Sequence, residues 1–385
     1  MSRETLKTFL DSKKPVLEIG PLDKPFITNN DYNVFYADIN DSETIRKIYS
    51  GDSEVNCGNV KEIDFVIRET YEKAVGNMKF QAVFSSHVIE HIPDIISHLI
   101  DISRILEDDG YVVLAIPDKR YTYDCFREVT PFRDAFEAYN DTSTALPRLG
   151  FDSIFYYSPD NDAVLLWSGE RSYQSIVADK EKYKNALSLW RSPNDAGFFH
   201  YWVFTYLSFL AFIRDGLRSR LLPYKLCYSK PAQVFANEFH IVLQKNADIL
   251  LREETTEAEI RKIQDIITDP LSDSSPSRFM RGLSSFLKKY PQCYIYGAGD
   301  YGQNLLRVLH KKQMEDRVAG FIISDGYCIE GQKEIPVFNL SEVIAINADY
   351  GVIVAMTTQN ETEVLPVLKR HQINYISMSD LCFYE

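Results

Sequence analysis

In the N-terminal third of this chain, short apolar runs that close on glycine or beside an acidic residue alternate with helical patterns. Pro15 opens the run "VLEIG", and "NVFYADI" follows with Asp38 near its end. A weaker run over residues 63–67 comes next, then "FQAVFSS" and "GYVVLAIPD", with "IPDIISHLIDISRILEDDG" in helical period between the last two. Continuous apolar runs of this length read as strands buried on both faces. Strand, helix and strand in succession predict an α/β fold built on an open, doubly wound parallel sheet. In such sheets a ligand lies beyond the carboxyl ends of the strands, where the strand order reverses. The residues to watch are Glu18, Gly20, Asp38, Ser85 to Glu90, and Asp118 to Arg120, each at or just past a strand end. A carboxylate after the second strand can accept both hydroxyls of a ribose, although Asp38 by itself serves equally as a helix cap.

Residues 85–94 read "SSHVIEHIPD", so His87, Glu90 and His91 have the H-x-x-E-H spacing of one zinc protease class. Zinc would need all three on one helix facing a cleft. Here the pattern begins at a strand end and Pro93 follows closely, which predicts a strand-to-helix turn. No third ligand motif follows, and no metal is assigned.

At 385 residues the chain exceeds one ordinary core and suggests two or three domains. Its formal charge of −13 repels phosphate backbones and anionic membranes, so nucleic acid is not an expected partner. The N-terminus lacks an apolar signal region and no apolar run is long enough to span a bilayer, so the expected location is the cytoplasm. The six cysteines, at 57, 125, 227, 293, 328 and 382, form no C-x-x-C pair and read as reduced thiols.

The stretches "VLEIGP", "YADIND", "FQAVFSSHVIEHIPD", "LEDDGYVVLAIPDKR", "FHYWVFTYLSFLAFIRDGL" and "NEFHIVLQK" together resemble the successive motifs of S-adenosylmethionine-dependent methyltransferases with the Rossmann-like fold. The resemblance is to those found among polysaccharide biosynthesis proteins, and it covers roughly residues 14–245. It implies that Glu18, Gly20 and Pro21 lie against the methionine part of S-adenosyl-L-methionine and that Asp38 holds the ribose hydroxyls. It places Ser85, Ser86 and His87 at the methyl-bearing end and Glu69 at the adenine edge. The usual glycine-rich first loop is here "GPLDKP", where Pro21 and Pro25 remove two amide donors. That departure equally suits a non-catalytic relative that keeps the fold as a scaffold.

Methyl transfer to a hydroxyl needs a group to take its proton, and histidine is suited to this near neutral pH. His87 and His200 are the candidate bases, with His240 beside the substrate; His98, His310 and His371 are set aside by position. His200 is expected to begin an amphipathic helix, "HYWVFTYLSFLAFIRDGL", at the mouth of the site. Asp118, Lys119 and Arg120, after the fifth strand, offer a carboxylate and two cations to a sugar or a phosphate. Residues 121–200 form an inserted cap rich in aromatics ("YTYDCF", "FDSIFYYSPD", "LLWSGE", "LSLW") with interleaved polar residues, a composition that suits carbohydrate recognition and equally a small core of its own. The implied activity is O-methylation of a sugar, nucleotide-linked or glycan-bound, in surface polysaccharide biosynthesis.

Residues 1–245 thus form a methyltransferase domain, 246–290 a helical linker with a Ser/Pro/Asp break at "DPLSDSSPSR", and 291–385 a smaller Rossmann-like domain. In "CYIYGAGDYGQNLLRVL" a strand leads through Gly297, Gly299 and Gly302 into a helix, and Asp325 closes the next strand. That context favours a phosphate or ribose at the helix start. The 83 residues after Gly302 (385 − 302) leave no room for a whole dehydrogenase. The small domain resembles those attached to sugar-modifying enzymes. It is a candidate nucleotide-sugar site, a docking surface for a second copy or a biosynthetic partner, or a purely structural unit.

Overall fold

The structure is a computed structural model that describes residues 3–159, 161–171, 179–190, 199–327, 334–346 and 349–382, so Asp160 of the cap and Cys328 lie outside the described residues. Its larger sheet has seven strands: β1 (Pro15–Ile19), β2 (Asn33–Asp38), β3 (Phe65–Val66), β4 (Phe80–Ser86), β5 (Leu106–Pro117), β6 (Tyr224–Lys230) and β7 (Glu238–Lys245). Their order is β3-β2-β1-β4-β5-β7-β6. β1 to β5 run parallel and are Val/Ile/Phe-rich because helices cover both faces. The Ile95–Ile105 helix shows how: Asp94 caps it by accepting the Ser97 N–H, and Ile95, Ile96, Leu99 and Ile102 are completely buried. The order reverses between β1 and β4, which places the crevice past Ile19, Asp38 and Ser86.

Two features depart from the parallel pattern. The edge strands β6 and β7 form an antiparallel pair, and β7 lies antiparallel to β5 with Glu238 opposite Pro117. The helix expected from His200 begins instead at Tyr206, after Thr205, whose side chain caps Ser208 in a reciprocal capping box. The residues before it form a strap: Tyr201 and Trp202 donate their N–H groups to the Glu90 carbonyl, and the Phe204 carbonyl accepts the Lys119 N–H. A backbone tied at both ends to other segments cannot also close helical hydrogen bonds.

The smaller sheet is wholly parallel, with β8 (Cys293–Tyr296), β9 (Val318–Ile323), β10 (Val337–Asn339), β11 (Gly351–Val354) and β12 (Asn374–Ser377) in the order β10-β9-β8-β11-β12. Between the sheets, the Glu253–Thr268 helix packs on the Tyr206–Arg218 helix of the larger unit. The Pro276–Lys289 helix instead joins the core of the smaller one through Phe279 and Leu283. Tyr121 and Trp167 of the cap stack at 4.2 Å and belong to that same apolar cluster, so the cap bridges the two units. Among the described residues no helix is long and apolar enough to cross a membrane, and the five described cysteines are free.

Candidate active site

Ile19 pairs with Ala37 on one side and Ser85 on the other, so β1, β2 and β4 end side by side. Gly20 then turns with a φ of 67°, a conformation glycine takes without strain. A Cβ there would stand 2.8 Å from Val88 Cγ2, so the turns after β1 and β4 touch at this point. Glu18 is buried, and its two oxygens accept the N–H groups of Phe26 (2.9 Å) and Ile27 (2.8 Å). Burial pushes its pKa up to about 7, against the lowering effect of these two bonds. The carboxylate cinches the loop that carries Pro21 and Pro25, supplying the rigidity that further glycines would not.

Asp38 closes β2 half-buried, and burial raises its pKa while one oxygen accepts the Asn40 N–H at 2.9 Å. Ile39 beside it is 62% exposed. A tight glycine turn, a carboxylate one strand over and an adjoining exposed isoleucine suit a nucleoside, whose hydroxyls bond the carboxylate and whose flat base covers the isoleucine. These residues fit S-adenosyl-L-methionine. Glu69 is an exposed residue paired with Lys73, and that pairing ties it to no other member of the group.

At the end of β4, His87 holds a φ of 52°, a strained conformation for a residue with a side chain. Its Nε2 lies 3.1 Å from Glu238 Oε2. Glu238 also meets His240 Nε2 at 2.9 Å and is gripped by Arg3, which donates to Ser86 Oγ at 2.9 Å as well. Burial would raise the Glu238 pKa, but the donors from His240, His87 and Arg3 outweigh it and hold the carboxyl far below its ordinary range. Desolvation would lower the His87 pKa, but the bond to Glu238 and the nearby Glu90 carboxylate outweigh it and raise it. His240 is thus a buried partner of Glu238 rather than a substrate contact.

A second cluster lies alongside. The strap delivers His200, whose Nδ1 stands 2.5 Å from Asp124 Oδ2 and whose Nε2 stands 2.6 Å from the Tyr123 hydroxyl. Arg127 fixes this arrangement by donating to Asp124 Oδ1 (2.9 Å) and to the carbonyl of His200 (2.6 Å). Asp124 is 99% removed from solvent, and although desolvation opposes it, His200 and Arg127 keep its pKa low. Between the two clusters sits Glu90, 1% exposed, with His87 Nδ1 at 3.8 Å and the Nε2 atoms of His91 and His200 at 3.9 Å each. Residue-type reasoning found His87 and His200 but missed Glu238, Asp124, Tyr123 and the central position of Glu90. No local signal pairs Asp124 or Tyr123 with His200, or Glu238 with His87, because more than 70 residues separate each pair, as 76 separate Asp124 from His200; Glu90, by contrast, stood in the H-x-x-E-H pattern.

The side chains of Asp118, Lys119 and Arg120 are taken up by the protein itself. Asp118, fully buried, receives two bonds from Arg120, which also grips Asp273 at 2.9 and 3.0 Å and the Ser274 carbonyl at 3.1 Å. Lys119 donates to the Cys125 carbonyl at 3.0 Å, and burial lowers its pKa. The trio therefore ties the larger sheet to the segment entering the small domain and leaves no free cation for a phosphate. In the small domain a Cβ on Gly302 would fall 1.8 Å from the Gly297 carbonyl oxygen, so the third glycine serves close helix-to-strand packing. Gly297 has a φ of 111°, Gly299 precedes the helix in open space, and Asp325 accepts from the Ser341 N–H (3.1 Å) and hydroxyl (2.9 Å). A cavity of about 230 Å³ lies where this sheet's order reverses, between Tyr301, Thr357 and Glu361 of the small domain and residues 230–234 of the β6–β7 connection.

The sequence matches the family of methyltransferase domains over residues 1–204. No curated protein matches it. Similar solved structures include the CurJ carbon methyltransferase, 11% identical over 60% of this chain and 48% of that one, with a TM-score of 0.26. Phosphoethanolamine N-methyltransferase 1 of Haemonchus contortus, in complex with phosphoethanolamine and S-adenosylhomocysteine, is 14% identical over 81% and 59%, at a TM-score of 0.31. An S-adenosylmethionine-dependent methyltransferase of Mesorhizobium loti is 11% identical over 63% and 96%, at 0.32. The chain spans about half the length of the first of these and 59% of the second. With more than half of its residues inside the matched region, the chain belongs to the methyltransferase domain family.

Proposed function

We propose that this enzyme transfers a methyl group to a hydroxyl of a sugar, nucleotide-linked or glycan-bound, in surface polysaccharide biosynthesis, and that His87 takes the hydroxyl proton. The observation that carries the reading is the His87–Glu238 contact of 3.1 Å at the end of β4, beside the turn where the cofactor fits. Glu238, held ionised by its other donors, accepts the Nε2–H and so leaves the Nδ1 lone pair for a substrate. The His87 side chain is also 33% exposed, against 7% for His200 and 8% for His240, so a hydroxyl can reach it. His200, with Nδ1 on Asp124 and Nε2 beside Tyr123, is not placed to accept a further proton from solvent-borne substrate.

S-adenosylmethionine supplies the methyl group. The chain's part is to grip the ribose through Asp38, hold the acceptor oxygen against His87 and accept its proton as the oxygen–carbon bond forms. The sugar reading is supported by the aromatic side of the cap, where Tyr123 stacks on Tyr157 at 4.9 Å next to His200. Ring faces of this kind cover the apolar face of a pyranose. The Gly297–Gly302 loop offers a phosphate a place in the small domain, but the neighbouring cavity of about 230 Å³ holds a sugar-sized fragment rather than a whole nucleotide-sugar.

The test pairs calorimetric titration of S-adenosylmethionine with methyl transfer to nucleotide-sugars and glycan fragments. Asp38→Ala should weaken cofactor binding about 10–100-fold, the value of charge-assisted bonds to two hydroxyls. His87→Ala should retain cofactor binding and lose turnover. Full turnover by His87→Ala would remove the base assignment, and methylation of amines but not hydroxyls would remove the O-transfer.

A further inference from the structure

Glu90 is a buried carboxylate with nothing to neutralise it by direct contact. It is 1% exposed, and both its oxygens lack a hydrogen-bond partner. Such a group is costly to bury unless a cation or donors reach it. Around it the imidazoles are turned in one sense. His91 uses Nδ1 on the Phe199 carbonyl at 3.1 Å, and His200 uses Nδ1 on Asp124 at 2.5 Å. Each of those nitrogens faces an acceptor and so carries the hydrogen, which leaves the Nε2 lone pair directed inward. The His200 lone pair meets the Tyr123 hydroxyl at 2.6 Å, whereas the two Glu90 oxygens have no hydrogen directed at them, an arrangement that a positive ion resolves.

We propose that Glu90, His91 and His200 form a binding site for a divalent first-row transition metal ion. Their ligand atoms all lie within 4.8 Å of one another, and Glu90 Oε1 is 3.9 Å from each Nε2. Donors about 2.1 Å from a tetrahedral ion stand roughly 3.4 Å apart, so the set closes by about 0.5 to 1.4 Å on binding. Two histidines and one carboxylate leave at least one coordination position open, the pattern of metal sites that bind substrate rather than merely brace a fold. The outer contacts match as well: metal-bound imidazoles donate their second N–H to a carboxylate or a carbonyl, as these two do. The Tyr123 hydroxyl gives up its hydrogen bond to His200 Nε2 and lies beside the ion.

The ion would lie near His87, whose Nδ1 is 3.8 Å from Glu90 Oε1. It would orient the acceptor oxygen and ease loss of its proton. This role rests on the proposed methyl transfer, whereas metal binding does not, so the two can fail separately.

The test uses the full-length protein stripped with a chelator and then titrated with ZnCl2 by calorimetry and with CoCl2 by visible absorption. One saturable equivalent is expected, with cobalt bands of nitrogen and oxygen ligation and no thiolate charge-transfer band. Glu90→Gln and His91→Asn, each checked for its fold by circular dichroism, should abolish that equivalent, and Asp124→Asn should weaken it about 10–100-fold. Absence of a saturable equivalent, its survival in both ligand variants, or a thiolate band would overturn the site.

Discussion

His98 lies on the covered face of the Ile95–Ile105 helix, 6% exposed, with Nδ1 3.2 Å from the Tyr71 hydroxyl and Nε2 without a partner. Burial lowers its pKa from the ordinary 6.5 to about 4. Desolvation is the cause, and Asp101 on the same helix is engaged by the Tyr71 N–H. Between those two values the unfolded chain takes up a proton that the native state refuses, so stability rises with pH across that window and is lost as pH falls. The shift of 2.5 pH units is worth about 3 kcal/mol below pH 4, and about 2 kcal/mol of it disappears between pH 7 and pH 5. The perturbation is His98→Asn, which keeps a polar atom near Tyr71 but cannot be protonated. Urea unfolding of both proteins at pH 7, 6 and 5 gives the difference in slope, so the variant's cavity cost, constant with pH, cancels. The wild type should lose about 2 kcal/mol more than the variant on going from pH 7 to pH 5. Parallel pH dependences, or an imidazole NMR titration placing His98 near 6, would refute the reasoning.

Gly302→Ala should destabilise the small domain by about 1–3 kcal/mol, because its Cβ would meet the Gly297 carbonyl oxygen at 1.8 Å. Gly299→Ala, with nothing within 4 Å, should be close to neutral; thermal unfolding of the pair reads the contrast. Arg120→Ala should cost about 3–5 kcal/mol by leaving Asp118 buried and unpaired, and urea unfolding should separate into two transitions as the domains uncouple. Glu238→Gln should lower kcat about 100-fold or more by releasing His87, while the calorimetric Kd for S-adenosylmethionine changes little; equal losses in both would move Glu238 to the cofactor side.

Much of the larger sheet could be read from single stretches, because a strand buried on both faces must be apolar throughout, as "VLEIG" and "FQAVFSS" are. The cofactor crevice followed from the same logic. Gly20 and Asp38 end adjacent parallel strands, and in this topology loops at such ends face the ligand whatever the rest of the chain does. The Glu18 carboxylate, by contrast, has the same type and place as a ligand contact, and only the folded loop shows its oxygens taken by Phe26 and Ile27. Asp118 and Arg120 looked like a substrate trio because nothing local reveals that Asp273, 153 residues on, completes the ion pair.

The chain's order of apolar runs and glycines therefore determined the sheet and its switch point, both of which depend on neighbours a few residues apart. The reactive centre depended on tertiary structure. His200 joins Glu90 and His91 only because the strap at 199–204 hydrogen-bonds to the Glu90 carbonyl instead of coiling into the helix that follows. His87 gains Glu238 only because β7 returns antiparallel beside β5. Charge pairing acts over a few ångströms of space and is indifferent to separation along the chain, so which histidine meets which carboxylate was decided by packing.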